Sequence, residues 1–187
     1  MTFFSKYPII DTGIFDFGQE DNAQQLIYAD IQLRNTTVRV FSIHLQSVRF
    51  GTQEYESLSQ MKRSEKDGFK DSRTIIGKLK RGYQARSVQA DIVNDFIRKS
   101  PYPVILCGDF NDVPNSYAYE TIGKGLQNAF EEKGVGLGRT FSGIAPTLRI
   151  DNIFIGPQYQ VSQFIRVNKK LSDHFPIIAD ITRLQHQ

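Results

Sequence analysis

VILCGDFNDVP, residues 104–114, begins as an apolar run and stops in a knot of polar groups. PVILCGDF (103–110) has the length and composition of a buried strand. Asp109, Asn111 and Asp112 then place two carboxylates and a carboxamide within four positions. Gly, Asn and Asp form turns, so one reading is a turn that leaves the core. The other is a site that holds charge. Cys107, inside the run, is the sole cysteine. It excludes an intrachain disulfide and reads as a small core residue.

Outward from this strand, residues 24–33 (QQLIYADIQL) and 37–46 (TVRVFSIHLQ) read as a hairpin turning at Arg34-Asn35-Thr36. Val38, Val40 and His44 share one face of the second strand. Arg39, Phe41, Ile43 and Leu45 share the other, the pattern of a strand covered on both sides. Residues 149–156 (RIDNIFIG) form another strand, with 158–167 (QYQVSQFIRV) expected as its partner, and 176–184 (PIIADITRL) the last. From Ser72 a helical period begins: Ile75, Ile76, Leu79 and Tyr83, then Ala85, Val88, Ile92, Val93, Phe96 and Ile97. Gly77 and Gly82 weaken its first half, leaving two helices or one bent one, and Ser100-Pro101 ends it. A short helix is expected within 115–126. GVGLGRTFSG (134–143) lacks the spacing of a phosphate loop and reads as an ordinary loop. Residues 47–71 form a long polar excursion with some helix. Strands mixed with one long helical region indicate an α/β or α+β layered fold.

The 187 residues are 40% hydrophobic and 23% charged, which suits a single domain over 1–187 with a sizeable core. A net charge of +3 permits a polyanionic substrate without demanding one. The basic residues of KLKRGYQAR (78–86), and Arg166, Lys169 and Lys170, read as solvated surface. No signal peptide is visible, and no apolar run approaches the ~18–20 residues of a spanning helix. Localisation is left open.

Acidic and imidazole groups fall at strand ends: His44, Asp109 with Asn111, and Asp173-His174. Each alone is an ordinary rim, turn or capping residue. Asp151 is different, because a carboxylate inside the apolar strand RIDNIFI is costly without a partner. It needs a cation, a metal or an imidazole. Of the three histidines, His186 lies in the polar tail, which leaves His44 and His174. Carboxylates hold Mg2+ or Mn2+ and activate water. An imidazole fixed by a buried carboxylate, and a neutral Asn, donate to phosphoryl oxygens. Such a set is suited to phosphoester cleavage.

FSIHLQS, CGDFND, RIDNIF and SDHFPI, in that order, resemble the endonuclease/exonuclease/phosphatase superfamily (deoxyribonuclease I-like), and SKYPI (5–9) resembles its mid-domain strand segment. The resemblance implies a four-layer α/β/β/α sandwich of two mixed sheets and a Mg2+ (or Mn2+) cofactor. It also implies a phosphodiester substrate, in nucleic acid or in a phospholipid or inositol phosphate headgroup. Asp109 would activate the attacking water, Asn111 would bind the scissile phosphate, and Asp173 would hold the metal. His174 would contact the phosphate or act as acid/base, oriented by Asp151. His44 would be a second phosphate contact or acid, and Arg149 would face the substrate. Asn152 stands where the family often has Tyr.

The resemblance also implies an upstream strand ending in a metal-facing Asn and a metal-binding Glu in a QE pair. Gln19-Glu20 and Gln53-Glu54 do not follow apolar strands. The chain therefore reads as the C-terminal two-thirds of such a domain, N-terminally truncated. Open sheet edges and self-association are then expected. So is weak magnesium binding, and a membrane anchor in a longer parent is compatible with it. A second reading is a catalytically impaired fragment or a non-catalytic remnant acting as a binding module.

Overall fold

The computed structural model describes residues 1–18, 24–48, 72–143, 148–169 and 171–184. Both QE pairs, most of the polar excursion, Lys170 and His186 lie outside the described residues. Among the described residues eight strands and three helices follow in order: β1 (Ile9–Asp16), β2 (Gln25–Leu33), β3 (Thr36–His44), α1 (Ser72–Arg98), β4 (Val104–Asp109), α2 (Tyr117–Gly123), β5 (Gln127–Asn128), α3 (Ala129–Lys133), β6 (Asp151–Ile155), β7 (Tyr159–Arg166) and β8 (Ile177–Arg183). Among the described residues no helix is long and apolar enough to cross a membrane.

The fold is mixed α/β, built on two sheets. The larger has the order β1-β2-β3-β4-β6-β5, and the smaller is the antiparallel pair β7-β8. β2 and β3 form the expected hairpin, with Leu33 opposite Thr36. β3 and β4 are parallel, so the chain must cross over between them, and α1 lies in that connection. β6 pairs with β4 and β5, not with β7 as its sequence neighbour suggested. The backbone N–H of Gly156 donates to Val104 O, which closes the large sheet there, and Tyr159 opens the second sheet.

Period-2 burial makes the core double. On one face of the large sheet Leu26, Phe41, Ile43, Leu45, Leu106, Phe110 and Phe154 pack under α1 and α2. On the other, Val38, Val40, Ile105, Cys107, Ile153 and Ile155 pack against Tyr159, Val161, Ala179 and Ile181 of the small sheet. Cys107 is thus a core residue, as read. The far face of the small sheet exposes Gln160, Ser162, Ile165, Ile178 and Thr182. Three of the four expected layers are formed among the described residues.

α1 is one continuous helix of 27 residues. Its buried stripe overlaps the apolar period only in part, at Ile75 and Val93, with Phe96 and Ile97 packed on the core. Ile76, Tyr83 and Val88 are exposed, while Ile75, Arg86, Gln89, Ala90 and Val93 are buried. Arg86, assigned to solvated surface from its basic neighbours, is 2% exposed. Its Nε donates to Asp112 Oδ2 at 2.9 Å and its Nη1 to Gln46 O at 2.9 Å. Asp112 is correspondingly not a mere turn residue but half of a buried ion pair. Gly82 makes room for it: a Cβ there would lie 2.7 Å from Val48 Cγ2 and 3.0 Å from Arg86 Nη1.

Candidate active site

Three strands deliver polar groups to one row. In the register of the large sheet His44 lies opposite Asp109, and Asp109 opposite Asp151. By strand alternation these positions continue the series Val38-Val40, Ile105-Cys107 and Ile153-Ile155 that faces the small sheet. The row therefore sits where the inter-sheet core runs out, at the mouth between the sheets.

The GDFN turn is held from several sides. A Cβ at Gly108 would lie 2.1 Å from Ile43 O, so β3 can approach only a glycine. Phe110 is fully buried, and its N–H donates to Ile150 O at 2.8 Å. Asn111 has φ +48°, a left-handed conformation that Asn tolerates. Its N–H donates to Asp109 Oδ1 at 2.7 Å, and its side-chain Nδ2 to Leu45 O at 3.0 Å. The turn thus aims the Asp109 carboxylate and leaves one Asn111 N–H uncommitted to that bond.

His174 arrives from the loop before β8. Residues 140–142 run beside 173–175, joined by Ser142 N–H to Asp173 O and Phe175 N–H to Thr140 O, both 2.7 Å. The Phe141 ring stands edge-on to the imidazole, 5.1 Å between centroids. Thr140 Oγ1, fully buried, accepts from Ile150 N–H and Asp151 N–H at 3.0 Å each. Thr140 was read only as part of a loop. A lone Thr after glycines gives no sequence signal for this double acceptor.

Nδ1–H of His174 donates to Asp151 Oδ2 at 2.8 Å. Its Nε2 lies 3.9 Å from Asp109 Oδ2, and His44 Nε2 lies 3.8 Å from the same oxygen. Of the two partners the sequence left open for Asp151, the fold selects His174. Burial pushes the Asp109 carboxyl up to about 6, aided by the Asp151 charge and opposed by the Asn111 N–H and both histidines. The bond to Asp151 holds His174 at about 8, despite partial burial, with further support from Asp109 and Asp173.

Among the described residues, ligand atoms of Asp109, Asp151 and His174 lie within 4.8 Å of one another. The two carboxylates fit a divalent cation that completes its shell with water and phosphate oxygens, with the imidazole beside them held by Asp151. Asp173, the residue expected to hold metal, is exposed and lies outside this trio, though its charge reaches His174. Arg149, expected at the substrate, is folded away from it. It is buried, with Nη1 3.2 Å from Asn152 Oδ1 and its guanidinium 4.5 Å from the Phe130 ring. Glu131 Oε1 lies 3.5 Å from Nη2. These partners already neutralise and cover the cation.

The sequence model of the Endonuclease/Exonuclease/phosphatase family matches residues 1–174. No curated protein sequence matches the chain. A functionally unknown conserved protein from Enterococcus faecalis V583 superposes with a TM-score of 0.68 at 18% identity, covering 96% of this chain and 68% of that one. D. rerio TDP2, solved with a single strand DNA product, gives 0.62 at 17% identity, over 93% and 68%. A mannosyl-6-phosphatase of Bacteroides thetaiotaomicron gives 0.56 at 18%, over 95% and 67%. These likenesses establish the deoxyribonuclease I-like fold, of which the chain spans about two thirds of each neighbour.

Proposed function

The chain belongs to the endonuclease/exonuclease/phosphatase family, and from that premise we propose that it is a metal-dependent hydrolase of phosphodiesters. The observation that carries the reading is the Asp151–His174 pair closing on Asp109. Asp109 accepts the proton of the attacking water and orients it. His174, fixed through Nδ1, presents Nε2–H to a phosphoryl oxygen, and His44 offers a second imidazole on the other side of Asp109. Asn111 supplies a neutral N–H as charge builds on the phosphorane oxygens.

Asp109 and Asp151 are the carboxylates placed to hold Mg2+ or Mn2+, with Asp173 nearby. When bound, such an ion offsets phosphate charge and acidifies water. Nucleic acid and sugar phosphates are both within the reading, since a neighbour of each kind, TDP2 with DNA and the mannosyl-6-phosphatase, shares the fold. The reading takes residues 1–187 as one domain.

The test is hydrolysis of plasmid DNA and of bis-p-nitrophenyl phosphate, with and without magnesium, by the chain and by Asp109→Asn and His174→Ala. We expect magnesium-dependent turnover that each substitution lowers by about 10²-fold or more. Undiminished turnover in Asp109→Asn would refute the assignment. A second reading, a catalytically impaired fragment or binding module, rests on the small donor set: three ligand residues among those described, one of them already bound to another. A folded chain with no turnover under any of these conditions would favour it.

A further inference from the structure

A pair of arginines gathers around Phe175. Arg139 and Arg166 are both partly buried, and both guanidiniums stack on the Phe175 ring, at 5.6 Å and 4.7 Å from its centroid. Phe175 directly follows His174. The segment carrying Arg139 is the one tied to residues 173–175 by two backbone hydrogen bonds, so the arginines are held in fixed relation to the imidazole. Among the described residues, neither guanidinium meets a carboxylate within 4.0 Å. Among the described residues their guanidiniums make one hydrogen bond, from Arg166 Nη1 to Arg139 O at 3.5 Å.

Both arginines line a cleft of about 650 Å³ with Phe130, Val135, Leu137 and Phe164. Val135 and Leu137 are 93% and 65% exposed on its rim. A guanidinium stacked on a ring keeps its in-plane N–H donors, and those donors match phosphate oxygens in number and geometry. Two part-buried cations without counter-charge are stabilised by an anion that enters the cleft. The apolar wall suits the ring or chain that carries it.

We propose that Arg139 and Arg166 form a phosphate subsite next to the hydrolytic site, which takes a second phosphate of a substrate bearing at least two. This rests on the hydrolase reading for the identity of the first phosphate. The ligand chemistry is shared by an oligonucleotide, with a phosphate flanking the scissile one, and by an inositol polyphosphate.

Binding to the full chain in EDTA separates the subsite from turnover. The probes are a fluorescein-labelled octathymidylate, followed by anisotropy, and inositol 1,4,5-trisphosphate, followed by calorimetry. Arg139→Gln and Arg166→Gln are each expected to weaken the favoured probe by about 10- to 100-fold. Each should also lower the salt slope for the oligonucleotide by about 0.7. Arg→Lys at either position should restore part of the affinity, and an unchanged melting temperature shows that folding is intact. Preference for one probe identifies the phosphate source. Unchanged affinity in both Gln variants, or no binding of either probe to the folded chain, overturns the subsite. Undiminished hydrolysis in Asp109→Asn overturns the assignment of the hydrolytic site, and no hydrolysis by the folded chain overturns the hydrolase reading, whatever the arginines do.

Discussion

At Asp109, burial and the Asp151 charge both oppose ionisation, and the folded carboxyl titrates at about 6 instead of 3.8. The folded state then holds this proton more tightly than the unfolded chain. The associated stability is present at low pH and is lost as pH rises toward 6. His174 has the same sign. Its stabilisation is complete below 6.5 and is lost as pH rises through about 8. The metal-free chain should therefore lose stability steadily from pH 5 to 9 in denaturant titrations. Asp109→Asn should remove the cost of the desolvated charge and raise stability at pH 7.5 by about 1–2 kcal/mol while abolishing turnover. A destabilised Asp109→Asn would contradict this account of the site. In NMR titrations, Asp151→Asn should lower the His174 pKa by about one unit or more, because it removes the largest cause of the upward shift.

Elements hold the site through close approaches that burial patterns do not reveal. β3 and β4 meet at Gly108, where any side chain would strike Ile43. Gly108→Ala should cost about 1–3 kcal/mol, as overpacking does, and should reduce activity by displacing Asp109; chemical unfolding and kinetics check the two effects. α1 is tied to the GDFND turn by Arg86 and Asp112. Asp112→Asn leaves a buried guanidinium without its counter-charge and should cost about 3–5 kcal/mol in the same unfolding assay. The helical period of α1 was legible, but its inward face only in part. Periodicity assumes that apolar residues face inward, and this helix turns Arg86 and Gln89 in because the turn and Gln46 offer them partners.

For the whole molecule, the large sheet ends at β1, which pairs only with β2 among the described residues. Ile9, Ile10 and Ile14 are exposed there, Ile14 at 75%. An apolar edge strand pairs with further strands unless something blunts it. The 187-residue chain should therefore self-associate with rising concentration in sedimentation velocity runs, and Ile14→Lys should shift it toward monomer. Equal behaviour of the two chains would locate any association elsewhere.

The sequence by itself determined β2, β3, β4, β6, β7 and β8, the hairpin, the α/β class and the family motifs, because each rests on local composition, period or order along the chain; β1 and the two-residue β5 were not read as strands. It also marked Asp151 as a residue that must have a partner, since burying an unpaired carboxylate is costly wherever it occurs. Which partner, and which charges share a site, only the tertiary structure decided. Sheet register placed His44, Asp109 and Asp151 side by side across residues far apart in sequence. Loop packing on Thr140 and Phe141 brought His174 to Asp151 rather than His44. The same tertiary packing sent Arg149 into a neutralising cluster and stacked Arg139 and Arg166 on Phe175, because a cation settles where the folded chain supplies a counter-charge or an aromatic face.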